Sequence, residues 1–451
     1  MSVFDGKRIP PATFKLDVDR MRRGWYSDKY FFNIVALLTG LAERGYRFGG
    51  QNADLSDIGI DLANVDIGNI HVEMQWFTRR KPLAIIVGVD KALAMLQAAT
   101  GHFEESGAWT DTYDQLEVQA VHDGTIAPYA GNPRDVAPVL KVRGRYRDFA
   151  ILETPTLGAL TRFSRVATNV YQVLEAAGGK DVLFFPARFD SHEIQAGDGY
   201  AYHLAVQYYN ATHKRSTTSL VSTDEQGEWW GGAGGGTVAH AAIACFLGDT
   251  VETMMAFSSV LSPAIPRIAL VDFDNDCIGT SLAVMERMFA RYMTLMDEGR
   301  EEEARKFVLF GVRPDTGGNM RDVSLEPLGD PRLDNGVNPR LCFKMRAGID
   351  TAFEAWDIPA RWVDRAKVWC ESVKLTVTGG FAPERIRQFE AQGVPADVYG
   401  VGSYLYSNCS TCGTNTDFTA DIVRVQINGQ WYDMAKIGRR SCDNPALKPV
   451  S

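Results

Sequence analysis

The feature that most constrains this chain is a repeating series of short strand-like runs that begins near residue 150. Each run ends in polar or glycine-rich residues, and helical patterns such as 281–299 and 383–393 separate many of them. This alternation is typical of an α/β barrel or a doubly wound sheet, and seven runs favour the barrel. The runs lie at 149–154, 181–190, 217–224, 268–276, 307–318, 373–381 and 397–405.

The segments on either side of this region have other patterns. Residues 20–48 are predicted to be helical because apolar residues recur at i, i+3, i+4 and i+7, whereas 116–148 and the C-terminal segment alternate as strands do. We therefore expect an irregular α/β barrel and an N-terminal α+β sandwich domain that the C-terminal strands join. The predicted domains are an α+β domain at 1–148, the barrel at 149–410 and a C-terminal β segment at 411–451.

Charge and hydropathy exclude several classes of protein. The chain has 451 residues and a net charge of −9, which is opposite to the basic surface of a nucleic-acid-binding protein. A pocket can still attract an anionic substrate, because its local charge can oppose the net charge. No apolar run is as long as a membrane span, and the N-terminus lacks the apolar core of a signal peptide. We expect a cytoplasmic protein without nucleic-acid or membrane partners.

The seven cysteines are scattered and odd in number, so they do not form a disulfide framework. Only Cys409 and Cys412 have the spacing of metal ligands, and Cys442 lies thirty residues further on. A structural zinc site needs four ligands, but the last histidine of the chain is His240. We expect no zinc, and we favour a pair of ordinary thiols over a zinc knuckle.

Glycines end the last two strand-like runs. Gly379 and Gly380 precede a predicted helix that begins near Pro383, and the final run ends in Gly400, Gly402 and Ser403. In barrels, the loops after the last two strands commonly bind phosphate, because bare backbone N–H groups and a helix N-terminus face the anion. Glycines also end strands for steric reasons, so the pair of loops, and not either one alone, predicts a phosphate site.

Charged residues end two further runs. Arg313 and Asp315 flank a proline, where the arginine can cover a ring or a phosphate and the aspartate can bind a ribose hydroxyl or Mg²⁺ through water. The alternative is an Arg–Asp pair that closes a loop. Asp272, Asp274 and Asp276 alternate, which indicates Mg²⁺ or sugar binding or, equally, a solvated acidic turn.

Phe185 and Arg188 follow another run, and together with Arg313 they suit an aromatic, anionic acceptor. His240 follows a segment with five glycines in residues 231–236 and precedes an apolar run. A histidine at a helix start is often a cap or packing residue. Here six run ends are predicted to converge on one pocket, which favours a carrier of a proton or a phosphoryl group.

Together these residues resemble the nicotinate/nicotinamide phosphoribosyltransferase family, the type II phosphoribosyltransferases, over nearly the whole chain. The segment YSDKYFFNIVALL is similar to the family's Asp-x-Tyr helix start and places Asp28 and Tyr30. The other similar segments are VEMQWFTRRKPLAIIVGVDKALAML, the β-rich stretch from VHDGTIAP to ETPTLGALT, FFPARF, GGTVAH, GVRPDTGG, TVTGGF and VYGVGSYL.

The resemblance implies an enzyme that transfers phosphoribose from phosphoribosyl pyrophosphate (PRPP) to the ring nitrogen of nicotinate and releases pyrophosphate. It implies Mg²⁺, ATP as co-substrate and phosphorylation of His240, with Asp315 on the ribose or the metal and Arg313 on substrate. Phe185 and Tyr30 of the partner subunit would sandwich the pyridine ring, so the resemblance implies at least a homodimer. The remaining implied residues are Arg188 and Asp224 for the acceptor, Thr237, Gly379, Gly380, Gly400, Gly402 and Ser403 for PRPP, and Asp272 and Asp274 for Mg²⁺.

The chain departs from the family pattern in three places. Pro186 replaces a glycine, Asn33 stands where archaeal-type members carry arginine, and Gly318 occupies the position of a second carboxylate in bacterial members. Archaeal-type members also lack that carboxylate. A non-catalytic nucleotide-binding relative and an unrelated phosphate-binding barrel therefore stay open as alternatives.

The identity of the acceptor is a further open choice. Asp224 lies near the position where amide-specific members carry an aspartate that accepts from the carboxamide, which leaves nicotinamide as an alternative. A carboxylate there would repel nicotinate unless it were protonated or paired. The archaeal-type resemblance favours nicotinate.

Overall fold

A computed structural model describes residues 6–450; the first five residues and Ser451, which belong to the first and last predicted domains, lie outside the described residues. The helices are α1 (Val18–Arg22), α2 (Lys29–Glu43), α3 (Ala53–Asp57), α4 (Val89–Ala99), α5 (Glu153–Ala177), α6 (Gln195–His213), α7 (His240–Cys245), α8 (Thr250–Val260), α9 (Cys277–Asp297), α10 (Glu301–Ala304), α11 (Pro331–Asp334), α12 (Pro339–Thr351), α13 (Ala360–Ser372) and α14 (Pro383–Ala391). The strands are β1 (His71–Thr78), β2 (Leu83–Ile85), β3 (Gly101–Phe103), β4 (Trp109–Asp111), β5 (Glu117–Ala120), β6 (Ile126–Pro128), β7 (Leu140–Arg145), β8 (Asp181–Phe184), β9 (Leu220–Val221), β10 (Arg267–Leu270), β11 (Leu309–Arg313), β12 (Lys374–Val377), β13 (Val398–Val401), β14 (Phe418–Ile427), β15 (Gln430–Asp433) and β16 (Lys448–Pro449).

The chain divides into two compact units, one that runs up to Asn169 and resumes at Ser407, and one from Val170 to Tyr406. The first division falls inside α5, whereas the sequence pattern placed a limit at residue 148. Hydroxyl groups on the part of α5 up to Asn169 explain the difference, because they accept hydrogen bonds from strands of the first unit. Thr156 Oγ1 accepts from the indole of Trp76 at 3.2 Å, and Thr168 Oγ1 accepts from the backbone of Ile85 at 3.0 Å.

The first unit contains a six-stranded antiparallel sheet in the order β15-β14-β1-β7-β5-β16. Strand β14 pairs along the whole of β1, from His71 opposite Gln426 to Thr78 opposite Phe418, with one irregularity after Glu73. Seven of the eight residues of β1 are buried, as expected for a central strand covered on both faces. The C-terminal strands therefore join the N-terminal α+β unit, as the sequence predicts.

The first of the seven predicted strand-like runs is wrong. Ala150–Leu152 form a 3₁₀ turn, and α5 begins at Glu153. The four residues from Phe149 to Leu152 are all buried in succession. A short continuous apolar run cannot distinguish a buried strand from a buried helical turn, because neither period is visible in it.

The second unit contains a six-stranded sheet in the order β10-β11-β12-β13-β8-β9, in which every pairing is parallel. All residues of β10 and β13 are buried, as is typical of strands covered on both sides. The sheet curls into a half-barrel, and helices such as α9 connect its strands. The predicted fold class, an irregular α/β barrel with an α+β unit that the C-terminal strands join, is confirmed.

Two further findings concern the chain as a whole. Cys409 and Cys412 form a disulfide, so the prediction of two ordinary thiols is wrong. The two residues are only three apart, and the turn between them brings their Cα atoms to 5.2 Å, within bridging distance. Among residues 6–450, no helix is long and apolar enough to cross a membrane.

Candidate active site

The carboxyl ends of the six parallel strands lie at one edge of the sheet, where ligands commonly bind in α/β folds. Most of the residues singled out from the sequence of the second unit follow these ends directly. They are Phe185 and Arg188 after β8, Asp224 after β9, Asp272 and Asp274 after β10, Arg313 and Asp315 at the end of β11, Gly379 and Gly380 after β12, and Gly402 and Ser403 after β13.

His240 is the first residue of α7, and its Nε2 lies 2.9 Å from Oδ1 of Asp272. The side chain of Asp272 is 10 % exposed and that of His240 is 47 % exposed, so the imidazole is open to a reactant while its partner is shielded. Burial raises the pKa of Asp272 and the nearby Asp315 adds to this, whereas the contact with His240 works in the opposite direction. Within the described residues, Nδ1 of His240 makes no hydrogen bond.

Arg313 contacts both this histidine segment and Phe185. Its Nη2 donates to the backbone oxygen of Val238 at 3.0 Å, and its guanidinium lies 5.9 Å from the ring centre of Phe185. Burial lowers the pKa of Arg313 and so does Arg188, while Asp315 and Asp272 raise it. Arginine stays charged even so, and its buried Nε has no partner in the described chain. An anion at this place would gain a buried, charged donor.

Phe185 borders an apolar cavity of about 330 Å³ inside the parallel sheet. Leu183 and Ile268 contribute to its walls, and Thr237 of the histidine segment also lines it. Arg188 follows Phe185 by three residues and lies in the short 3₁₀ turn Ala187–Phe189. Its guanidinium is 5.5 Å from the centre of the ring of Phe189. A flat aromatic ring with an anionic substituent suits apolar walls and two neighbouring arginines.

The glycines after β12 and β13 are needed for two different reasons. Gly379 and Gly380 have φ values of +97° and +70°, which side chains rarely adopt. A Cβ on Gly402 would lie 2.6 Å from the ring of Phe189. Gly400 lies inside β13, where a Cβ would come within 2.5 Å of Thr378. The first loop therefore depends on backbone conformation, and the second depends on close approach of neighbouring atoms.

The glycines before His240 differ in how much space surrounds their missing side chains. A Cβ on Gly234 would lie 2.6 Å from the backbone of Thr223, and a Cβ on Gly227 would lie 2.1 Å from the oxygen of Gly232. The backbone of Gly234 also donates to Oδ1 of Asp224 at 2.9 Å. Gly231 and Gly236 have no atom within 4 Å of their missing Cβ positions, and at Gly235 the nearest atom is 3.7 Å away. The segment is therefore tightly packed at Gly234 and open just before Thr237.

Asp224 is exposed, and its Oδ1 accepts a hydrogen bond from the backbone N–H of Gly234. Tyr30 belongs to the first unit, where it is 60 % exposed and donates from its hydroxyl to Asp28 at 3.1 Å. Its assignment to the acceptor site of a partner subunit stays a prediction.

The acidic residues after β10 have separate environments. Asp272 contacts His240, Asp276 caps α9 by accepting from Gly279, and Asp274 is exposed. Across the described residues, no group of three or more His, Cys, Asp or Glu side chains is arranged to hold a metal ion. Mg²⁺ is commonly held by one or two carboxylates together with substrate phosphates, so these residues fit an ion that arrives with its substrate.

Sequence reasoning missed two residues of the site. Thr378 donates from Oγ1 to Oδ1 of Asp315 at 2.7 Å, and Arg385 of α14 donates to the oxygen of Gly379 at 2.6 Å. The available signals were a hydroxyl directly before the paired glycines and an arginine in the first turn of the helix that follows them.

Comparison with known proteins gives one sequence relative and a shared fold. No family model matches the chain. The chain is 24 % identical over 333 residues to nicotinate phosphoribosyltransferase of Rattus norvegicus, a region that is 70 % of this chain and 56 % of the rat protein. This chain thus spans little more than half the length of that relative. The crystal structure of nicotinate-nucleotide pyrophosphorylase from Pyrococcus furiosus matches 96 % of this chain and 84 % of its own, with 23 % identity and a TM-score of 0.57.

The curled parallel sheet and the match to the Pyrococcus protein give the chain the fold of the type II phosphoribosyltransferases. The sequence match to the rat protein agrees with the resemblance seen in the motifs. By sequence, the chain is thus similar to a nicotinate phosphoribosyltransferase.

Proposed function

We propose that the protein transfers phosphoribose from PRPP to nicotinate, giving nicotinate mononucleotide and pyrophosphate, with ATP hydrolysed through a phosphohistidine at His240. The observation that carries the proposal is the convergence of Phe185, Arg313 and Asp315 with the His240–Asp272 pair at the carboxyl edge of the parallel sheet. The similarity to nicotinate phosphoribosyltransferase of Rattus norvegicus agrees with this activity.

In the proposed reaction, the bond between C1′ of the ribose and the pyrophosphate oxygen breaks, and its electron pair leaves with pyrophosphate. The lone pair of the pyridine nitrogen forms the new bond to C1′. Positive charge develops on the ribose and negative charge on the leaving group, so fixed cations near the leaving group lower the barrier. Arg313, buried and held by Val238, is already oriented and needs little reorganisation for this task.

PRPP would be held at two points. The loops at Gly379–Gly380 and Gly402–Ser403 would take the 5′-phosphate through backbone N–H groups, and Asp315 would accept from a ribose hydroxyl. Thr237, at the wall of the cavity, would meet the substrate from the histidine segment. Mg²⁺ would enter with PRPP and offset the charge of the leaving pyrophosphate. Asp272 and Asp274 are its proposed carboxylate neighbours.

The acceptor ring would lie against Phe185, with Tyr30 of the partner subunit on its other face in a homodimer. Nicotinate suits this place because Arg188 and Arg313 supply two cations for one carboxylate. Nicotinamide is the second candidate, since Asp224 offers an acceptor for a carboxamide. Oδ1 of Asp224 already accepts from the backbone of Gly234, so a carboxamide would be left with Oδ2 of this exposed carboxylate.

The proposed role of ATP follows from the geometry of His240. An ionised carboxylate only accepts hydrogen bonds, so Asp272 favours the tautomer with the proton on Nε2. The lone pair then lies on Nδ1, which has no partner in the described chain, and the side chain of His240 is 47 % exposed. Nδ1 would attack the γ-phosphorus of ATP, ADP would leave, and hydrolysis of the phosphohistidine would return phosphate.

The proposal is tested by measuring pyrophosphate release from PRPP and Mg²⁺ with nicotinate, nicotinamide or quinolinate, each with and without ATP. We expect turnover with nicotinate that rises with ATP, and loss of the ATP effect in His240→Ala. Turnover with nicotinamide alone would show that the acceptor is the amide, the alternative that Asp224 indicates. No turnover with any acceptor would overturn the proposal, and PRPP binding would then separate a non-catalytic relative from an unrelated barrel.

The proposed homodimer is tested separately by light scattering on the purified protein. A monomeric mass at working concentration would contradict a site shared between subunits.

A further inference from the structure

Thr378 lies directly after β12 and is 4 % exposed. Its Oγ1 is 2.7 Å from Oδ1 of Asp315 and 3.2 Å from the backbone oxygen of Pro314. A hydroxyl has a single hydrogen, and a charged acceptor at the shorter distance makes the stronger bond. The hydroxyl therefore donates to the carboxylate of Asp315.

The orientation of Thr378 is fixed by packing on its other side. Its methyl group occupies the space left by the missing side chain of Gly400 on β13, where a Cβ would approach within 2.5 Å. With the methyl held there, the hydroxyl points toward the end of β11. The glycine in β13 and the threonine after β12 therefore act together on a carboxylate from a third strand.

Gly379 also lies beside Asp315, where the position of a Cβ would be 3.5 Å from Oδ1, an ordinary contact distance. Oδ1 is occupied by Thr378, and within the described residues Oδ2 makes no hydrogen bond or ion pair. One oxygen is thus committed to the protein, and the other is left for a ligand.

We propose that Thr378 is a positioning residue, which holds Asp315 so that Oδ2 is presented to a ribose hydroxyl of PRPP. This rests on the proposed function, because it assigns the substrate contact to Asp315. Without the hydroxyl, the carboxylate would rotate about its side-chain bonds, and ordering it would again cost free energy on binding.

Two variants of Thr378 separate the hydroxyl from the packing. Thr378→Val keeps the branched shape and removes the donor, whereas Thr378→Ser keeps the donor and removes the methyl. We expect Thr378→Val to raise the KM for PRPP about 3- to 10-fold, the cost of ordering one side chain on binding. We expect Thr378→Ser to stay within about twofold of the wild type, and the KM for nicotinate to change in neither variant.

A purely structural role would give another result. Thr378→Ser would then be impaired as strongly as Thr378→Val, or the KM values for both substrates and the melting temperature would change together. Either result overturns the proposal, as does a Thr378→Val enzyme with the wild-type KM for PRPP. If Thr378→Val does not fold, Thr378→Ala is used in its place.

A double-mutant cycle with Asp315→Asn tests whether Thr378 acts through Asp315. We expect Thr378→Val to have less than about a twofold further effect in the Asp315→Asn background. Full additivity would overturn the proposal.

The same variants distinguish this proposal from the proposed function. If the wild type binds PRPP without turnover of any acceptor, the proposed function fails, and PRPP dissociation constants by calorimetry replace KM in the comparison. If the wild type does not bind PRPP, both proposals fail.

Discussion

The imidazole of His240 and the carboxylate of Asp272 meet at 2.9 Å, although 32 residues separate them along the chain. The histidine opens α7 after the glycine-rich segment, and the aspartate follows β10. Their contact joins the end of the glycine-rich segment to a strand of the parallel sheet, and an ionised Asp272 favours the imidazole tautomer with its proton on Nε2.

Asp272→Asn is expected to reduce ATP stimulation of nicotinate turnover about tenfold or more, because an amide can stabilise either tautomer and cannot balance a positive imidazole. Turnover without ATP over a range of Mg²⁺ concentrations separates this loss from an effect of Asp272 on the metal. Asp276→Asn is the matched control, since asparagine can still cap α9 by accepting from Gly279. A shift in the Mg²⁺ concentration needed by Asp274→Asn would assign that residue to the metal, as the sequence predicts.

The ATP-stimulated rate is expected to fall with acid at a pH above the ordinary aspartate value of 3.8. Burial raises the pKa of Asp272, so its carboxyl gains a proton at a higher pH than an exposed aspartate would. Protonation removes the charge that holds Nε2–H, so this rate falls as the pH is lowered. Initial rates with and without ATP between pH 4 and 8 check this. The prediction would be contradicted if the ATP-stimulated rate of Asp272→Asn decreased with acid over the same pH range as that of the wild type.

Stability is expected to decrease as the pH rises from about 4.5 to about 8, through the titration of Glu153. Burial raises its pKa to about 8, and the neighbouring Asp421 and Asp28 add to the effect. In this window the folded state holds a proton that the unfolded chain releases, so higher pH favours unfolding. Melting temperatures of the wild type and Glu153→Gln should therefore diverge toward pH 8, with the variant the more stable. Parallel curves would show that Glu153 is ionised in the folded protein.

Gly234→Ala and Gly236→Ala are expected to differ, although both glycines belong to one segment. A Cβ at 234 meets backbone at 2.6 Å, which forces a shift that costs about 1–3 kcal/mol, whereas a Cβ at 236 meets nothing within 4 Å. Denaturation in urea measures the difference. Equal destabilisation would mean that both positions are packed, and no effect of either would mean that the whole segment is loose.

The disulfide between Cys409 and Cys412 should protect both thiols from alkylation until a reductant is added. Because it closes a very small loop, its loss in Cys409→Ser is expected to cost at most about 2 kcal/mol of stability. Mass spectrometry after alkylation, with and without reductant, counts the reactive thiols. Alkylation of both residues in the untreated protein would rule out the bond under those conditions.

Parts of the fold could be predicted because local patterns carry them. The spacing of apolar residues gave α9 and α14, and alternation gave β5 and β14 as strands. The run at 149–154 failed because four buried apolar residues in succession look alike in a strand and in a helical turn. The limit of the first unit inside α5 could not be predicted, since it depends on hydroxyl contacts with distant strands.

Some residues of the candidate site could likewise be predicted from the sequence, and others could not. The sequence indicated Arg313, Asp315 and the paired glycines, since charged groups and glycines at strand ends mark a ligand edge. It did not indicate Thr378, because a threonine at a strand end is ordinary until its partner is known.

The sequence alone thus determined the kinds of residue that end each strand, because strand period, turn chemistry and the residue types of a site are local properties. The tertiary structure decided which ends meet. The order β10-β11-β12-β13-β8-β9 brings Asp315 beside Thr378, and the path of the glycine-rich segment brings His240 to Asp272. Such contacts follow from strand order and side-chain packing across the sheet, which distance along the chain does not specify.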